Sequence, residues 1–234
     1  MHTSLLKLYL SIGLSLALKL ASAQECKTYY LLSQGTEVEL TMYDKKGEAN
    51  GRNVSKVTEV KPVSGGYEAN ISVTTYNGRG KEQMNNPNVA ISCQNGVYAV
   101  DLRNLVPAEA MAGQKDVQVR VEGNMAEYPA RLEPGQTLKD ATMTAEPTSG
   151  GMALMRMTVT LKNRKVEGKE TITTPAGSYD CFKITYDANV KTIVGFNFQA
   201  AEWFSPGFGV VKTETYRSGK PVGSTLITKV TKGL

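Results

Sequence analysis

The chain has 234 residues, of which 41% are apolar and 21% charged, and a formal net charge of +5. That length is enough for one sizeable domain with a core of its own. The mild positive excess, with no basic run and no basic stripe interleaved with aromatics, argues against a nucleic-acid partner.

Residues 1–23 read as a signal peptide. Lys7 supplies the positive flank, Leu8 to Leu18 the apolar segment, and Ala21-Ser22-Ala23 the small-residue cleavage site. A membrane anchor is the competing reading, but Lys19 cuts the apolar run short of the ~20 residues that a helical span needs. No later run is long enough either, so no membrane span is expected after cleavage. Glu25 stands before Cys26, where a lipidated cysteine wants a small residue, which favours a soluble product. Residues 24–234 are then one domain, periplasmic or secreted. Such a compartment is oxidising, so Cys26, Cys93 and Cys181 predict one disulfide and one free thiol. Three pairings are open. Cys26–Cys93 is preferred because it would tie down a loose N-terminus.

The elements that follow are almost all strands. Val38, Leu40 and Met42 alternate with polar residues, which is period two and marks a strand with one buried face. Asp44 to Gly47 is a turn. Val54 to Val60 and Tyr67 to Tyr76 are strands about Ser64-Gly65-Gly66. A turn at Asn77-Gly78 leads to a polar loop through Asn85-Asn86-Pro87-Asn88. Val89–Cys93 and Val97–Leu102 form a tight hairpin about Asn95-Gly96. Pro107 to Ala112 is the one short helix, with Pro at its first turn and Gly113 at its exit. Val117 to Glu122 is a strand, and Pro129 to Gln136 an irregular crossing.

Leu138 to Ala145 pairs with Met152 to Lys162, and Glu167-Gly168-Lys169 leads into the stretch around which the chain is organised. That stretch is TITTPAGSYDCFKITYD, then AEWFSPGFGVVKTETY. Each reads strand, turn, strand, with Pro and Gly setting the turns. Val210–Tyr216 and Ser224–Val230 close the chain about Ser218-Gly219. The fold expected is an all-β domain: a strongly curved antiparallel sheet or partly open β-barrel with one short helix.

His2 is the only histidine and lies in the leader. Histidine-based triads and zinc catalysis are thereby removed from the mature chain. There is no CxxC, no Ser-x-x-Lys in the mature chain, and no phosphate or dinucleotide loop. Asp44-Lys45-Lys46-Gly47-Glu48 puts Lys where a calcium loop needs oxygen. No metal and no cofactor is expected. Glu133, Asp140, Glu202 and Glu214 remain as members of a carboxylate pair, against the commoner reading that they are solvated surface groups. A protein without enzymatic activity is expected, with a carboxylate-based hydrolase as the alternative.

What remains is shape. Methionine is abundant, and flexible thioethers suit an adaptable apolar pocket. Met155, Met157, Phe182, Ile184, Tyr186, Phe196 and Phe198 fall on alternating strand faces. They are either ordinary core or the lining of a concave site for an apolar or lipid-like ligand. Trp203, beside the Ser205-Pro206-Gly207 turn, is either a lip of that site or a plug for the barrel end. Cys181 lies on the face opposite Phe182, Ile184 and Tyr186. The alternative to a ligand site is a filled core whose outer faces or edge strand meet another protein of the cell envelope.

The two hairpins, with the Thr41–Gly47 strand and turn and the Pro134-Gly135-Gln136 segment, resemble a family of exported bacterial β proteins of unknown function sometimes labelled TapB-like. The resemblance covers Glu25 to Lys229. It implies a secreted or periplasmic protein of a Bacteroidetes-type bacterium and carries over no catalytic residue. A remoter likeness, of architecture alone, is to the half-open barrels of LolA/LolB-type lipoprotein carriers.

Overall fold

The computed structural model describes residues 26, 33–102, 118–149, 152–153, 156–192 and 195–233. The leader and the helix expected at Pro107 to Ala112 lie outside them. The described chain is built almost entirely of strands. These are β1 (Glu37–Asp44), β2 (Ala49–Val63), β3 (Gly66–Asn77), β4 (Glu82–Gln94), β5 (Val97–Val100), β6 (Gln118–Gly123), β7 (Ala126–Pro129), β8 (Ala141–Ser149), β9 (Met152–Ala153), β10 (Met157–Thr174), β11 (Gly177–Lys191), β12 (Gly195–Ser205), β13 (Gly209–Arg217) and β14 (Lys220–Thr231). All pair antiparallel in one sheet, in the order β6-β8-β10-β11-β12-β13-β14-β1-β2-β3-β4-β5-β7, with β9 paired to β8. Every neighbour follows its partner in sequence except at four places, β6–β8, β8–β10, β14–β1 and β5–β7, of which the pairing of β1 with β14 joins the two halves.

The hairpin turns follow from their residues. Asn95 and Gly96 both have positive φ (51° and 76°), the type I′ geometry that matches strand twist. Thr174 Oγ1 accepts from Ala176 N and donates to Gly177 O, closing the Pro175-Ala176 turn.

Four local expectations change. The polar stretch at Asn85–Asn88 is strand, not loop: it is the first half of β4, paired to β3 with a register shift near Pro87. Among the described residues that half has no neighbour on its other side, where proline is tolerated. Glu167-Gly168-Lys169 does not end a strand but bulges within the 18-residue β10. Met152–Ala153 folds back on β8, and the strand facing β8 proper begins at Met157. Finally, Ala126–Pro129 is a short strand, β7, in a stretch given no element from the sequence and ending at the first residue of the irregular crossing.

The sheet rolls on itself. The principal core packs Val57, Ile71, Ile91 and Tyr98 from one end against Met143, Val159, Leu161, Ile184 and Phe204 from the other. The outermost strands β6 and β7 are separated in sequence by only Asn124 and Met125. No ladder joins these two edges among the described residues; β7 and its connection to β6 are tied to β8 and the residues before it instead. Asn124 N donates to Thr142 O at 2.9 Å, and Thr142 N donates to Asn124 Oδ1 at 2.7 Å. Lys139 pairs with Glu127 at 2.9 Å. The result is a rolled, open sheet. Cys26 and Cys93 are joined in a disulfide against the principal core.

A second core forms on the opposite face of the same strands. It gathers Val38, Cys181, Ala201, Trp203, Phe208, Val211 and Ile227, with Ile172, Ala176 and Tyr179 at the β10–β11 tip packed on it. The Tyr179 and Phe208 rings lie 4.8 Å apart. Strands here are buried on both faces, so consecutive residues, Cys181-Phe182 and Trp203-Phe204, are all buried. Full burial of one such side chain is worth about 1.5–3 kcal/mol.

Cys181 is the free cysteine among the described residues. Burial, then the Asp180 and Glu170 charges, push its thiol up to about 12. The thiolate is the reactive species, so the native thiol is expected to be inert to a disulfide reagent at mildly alkaline pH and to react once the chain is unfolded in guanidinium. Rapid native labelling would contradict this placement.

Candidate functional site

The concave face of the roll carries the residues picked out by alternation, and the structure separates them. Met157, Phe182, Ile184 and Tyr186 are buried in the principal core. Phe198 is partly buried against it. Phe196, opposite Val190 at the end of the same face, is 46% exposed. Trp203 belongs to the other face: it is buried in the second core, with Lys212 4.3 Å and Lys183 5.1 Å from its ring centre. Met155 lies outside the described residues.

The middle of the concave face holds a polar group inside an aromatic one. Tyr128 and Phe204 stack at 4.4 Å, and Tyr98 lies 5.9 Å from Phe204. Against them sits Arg164, fully buried, its guanidinium 4.8 Å from the Tyr128 ring centre. Arg164 Nη1 donates to Glu127 O and to Lys139 O, each at 3.0 Å, so one side chain ties β7 to the segment entering β8. Its counter-charge is Glu202 on β12, 5% exposed, with Nη2 to Oε1 at 4.0 Å. That separation is an ion pair without a hydrogen bond, and Arg164 Nε and Nη2 and Glu202 Oε1 have no hydrogen-bond partner.

Burial raises the Glu202 carboxyl above the ordinary range, while Arg164 and the hydroxyls of Tyr128 and Tyr186 pull it back. Both tyrosines are raised well above theirs, first by burial and then by the Glu202 charge. A buried charge beside apolar rings is stable only when compensated, which is what the ion pair and the two carbonyls supply.

The other carboxylates do not join this group. Glu202 is level with Thr213, and Glu214 with Ala201, so the two acids point to opposite faces of the sheet. Glu133 and Asp140 are exposed. Among the described residues, no three His, Cys, Asp or Glu side chains are placed to hold a metal.

Outside the roll, open grooves run over the opposite face. One, of about 790 Å³, crosses β10, β11 and β12 and is walled by Arg217 and Ser218. A second, of about 460 Å³, shares Asn163, Asp187 and Gln199 with it and adds Tyr216. A third, of about 1050 Å³, lies between the β10–β11 and β12–β13 tips.

These features define an antiparallel β protein, rolled but open, with an aromatic and ionic core and its grooves outside. The chain belongs to the DUF3108-like family, whose model matches residues 33–227. Two solved structures share the fold. One is from Bacteroides fragilis NCTC 9343 and is described as a candidate exported protein with a YmcC-like fold. It is 20% identical with a TM-score of 0.73, and the match covers 87% of this chain and 99% of that one. The other, described as a candidate lipoprotein, is from Parabacteroides distasonis ATCC 8503. It is 22% identical with a TM-score of 0.72, and covers 87% and 98%. No curated protein sequence matches. The TapB-like label and the likeness to LolA/LolB-type carriers are not what these matches carry.

Proposed function

We propose that this is an exported, non-enzymatic protein of the bacterial cell envelope that works through its outer sheet surface. The observation that carries the reading is the concave face. Tyr98, Tyr128, Phe204, Arg164 and Glu202 occupy its middle, and Met157, Phe182, Ile184 and Tyr186 pack around them. A carrier for a lipid-like ligand needs an apolar cavity of roughly 300 Å³ or more at that place. Side chains packed to this degree of burial favour an interaction or assembly protein instead. Export is supported by the leader-like N-terminus and by the names of the two structural neighbours. The lack of histidine after His2 supports a non-catalytic role.

A second reading keeps a specific observation of its own. Phe196 is half exposed and Phe198 half buried at the open end of the concave face. Together they are the natural entry for an apolar or lipid-like ligand, while Trp203 lies on the other face. Native mass spectrometry of the protein purified from its own periplasm separates the two. The expected spectrum is the polypeptide mass alone, unchanged after challenge with fatty acid or phospholipid. A stoichiometric lipid that Phe196→Ala releases would overturn the filled-core reading.

A further inference from the structure

The outer face of β10 to β13 departs from what a strand surface normally carries. Asn, Asp and Gly are among the poorest strand residues, whereas Thr is a good one and Lys and Glu are less disfavoured. Yet Asp187 and Asn189 on β11 face Gln199 and Asn197 on β12, in central strands. Beside them Asn163 sits in the middle of β10 with φ at +55°, inside a register shift between Lys162 and Lys165. A non-glycine residue held there is a local strain, and such strain gathers where function needs it. These departures meet in one place, the paired grooves that share Asn163, Asp187 and Gln199.

The side chains are already oriented. Asn163 Nδ2 donates to Asp187 Oδ2 at 2.8 Å, and Asn189 Nδ2 donates to Asn197 Oδ1 at 2.5 Å. Each amide keeps a free donor or acceptor toward the groove. Tyr216, level with Gln199, adds an aromatic wall, its hydroxyl donating to Glu214. Three strand spacings, about 14 Å, separate Asn163 on β10 from Tyr216 on β13.

We propose that this groove binds an oligosaccharide, the amides and Asp187 taking its hydroxyls and Tyr216 the apolar face of one ring. Vicinal hydroxyls are donor and acceptor at once, and planar amides answer both in pairs. Other occupants fit less well. An apolar chain finds amides and charges interrupting the apolar part of the walls. A peptide strand finds a sheet face, not an edge with open backbone groups. A simple anion finds Lys162 and Arg217 but also Asp187 between them. The polar side chains named here lie on the face opposite the concave one, although Ala188 and Phe198 also line the groove, and the site gives the outer surface proposed above a ligand class.

The test is an array of neutral, amino-sugar and uronic-acid oligosaccharides probed with the chain lacking its leader, then calorimetry on the best binder. Binding should weaken about tenfold in Asn197→Ala/Gln199→Ala. Asn163→Gly removes the amide while glycine accepts the positive φ, so it should fold normally and also bind more weakly. Phe196→Ala should bind as the parent does, which separates this site from the concave face. Thermal unfolding of each variant reports that the fold is kept. No binding to any oligosaccharide overturns the proposal. So does binding that the groove variants leave unchanged, or binding confined to uronic acids and abolished by salt, which would report Lys162 and Arg217 alone.

Discussion

Arg164→Met is expected to cost about 3–5 kcal/mol of unfolding free energy near neutral pH, the largest effect of any single substitution considered. The loss has three parts. Two carbonyls, of Glu127 and Lys139, lose their donor. The seam between β7 and β8 loses its tie. Glu202 is left as a buried charge without a counter-charge. The last part depends on pH, and its sign is fixed. A carboxyl whose folded pKa exceeds its unfolded one stabilises the fold below the unfolded value, near 4.5, and that contribution is lost as pH rises through the folded value. Arg164 holds the folded value down, so its removal raises it further and widens the window of loss. Denaturant unfolding of Arg164→Met should therefore show a larger deficit at about pH 8 than at about pH 5. Arg164→Met/Glu202→Leu should recover most of the stability and lose the pH dependence, because a buried ion pair replaced whole by apolar groups is often neutral. A deficit equal at both pH values would mean that Glu202 is not the uncompensated charge.

Cys26→Ala/Cys93→Ala is expected to lower stability by about 4 kcal/mol. The bond joins residues 67 apart, and a cross-link of that span removes much freedom from the unfolded chain. For a chain of this size the midpoint of thermal unfolding should fall by roughly 8–16 °C. Reductant on the parent protein should reproduce the shift, since Cys181 takes no part in the bond. The drop should be accompanied by no new reactive thiol in the folded double variant. If midpoints with and without reductant coincide, the cross-link adds nothing and the N-terminal segment is held by packing alone.

How much of this was legible depended on whether a strand buried one face or two. Val38 to Met42, Tyr67 to Tyr76 and Ser224 to Val230 fall within strands read from alternation and turn chemistry. The buried ion pair was not legible, for two separate reasons. In the first ten residues of β10 the buried ones are Met157, Val159 and Leu161, then Arg164 and Val166. The bulge at Asn163 inserts one residue, flips the parity and turns an arginine inward from a run, Lys-Asn-Arg-Lys, that reads as surface. The odd spacing from Leu161 to Val166 was the signal that could have found it. Glu202 reads as a surface carboxylate only if its strand is half buried. The run Ala200-Ala201-Glu202-Trp203-Phe204 is buried on both sides, and its near-continuous apolar character says so. The polar groove fell between two readings, because Asp187, Asn189, Asn197 and Gln199 are far apart in sequence or unremarkable alone. Only the β11–β12 register places them side by side.

The pairing of β1 with β14 sets an order of events. Each half of the sheet can zip locally, β1 through β5 as hairpins on one side and β10 through β14 on the other. Neither half closes the roll alone, because the principal core needs both and, among the described residues, the ladder that joins them is the one between β1 and β14. Glu37 cannot find Thr231 until that residue is free to move beside it. A chain made from its N-terminus onward therefore passes through a stage with two unfinished sheets, each with an unpaired strand edge. It becomes one molecule only when its last strand arrives. Long-range closure of this kind is slow, and the interval before it is when the protein is most exposed to wrong strand partners.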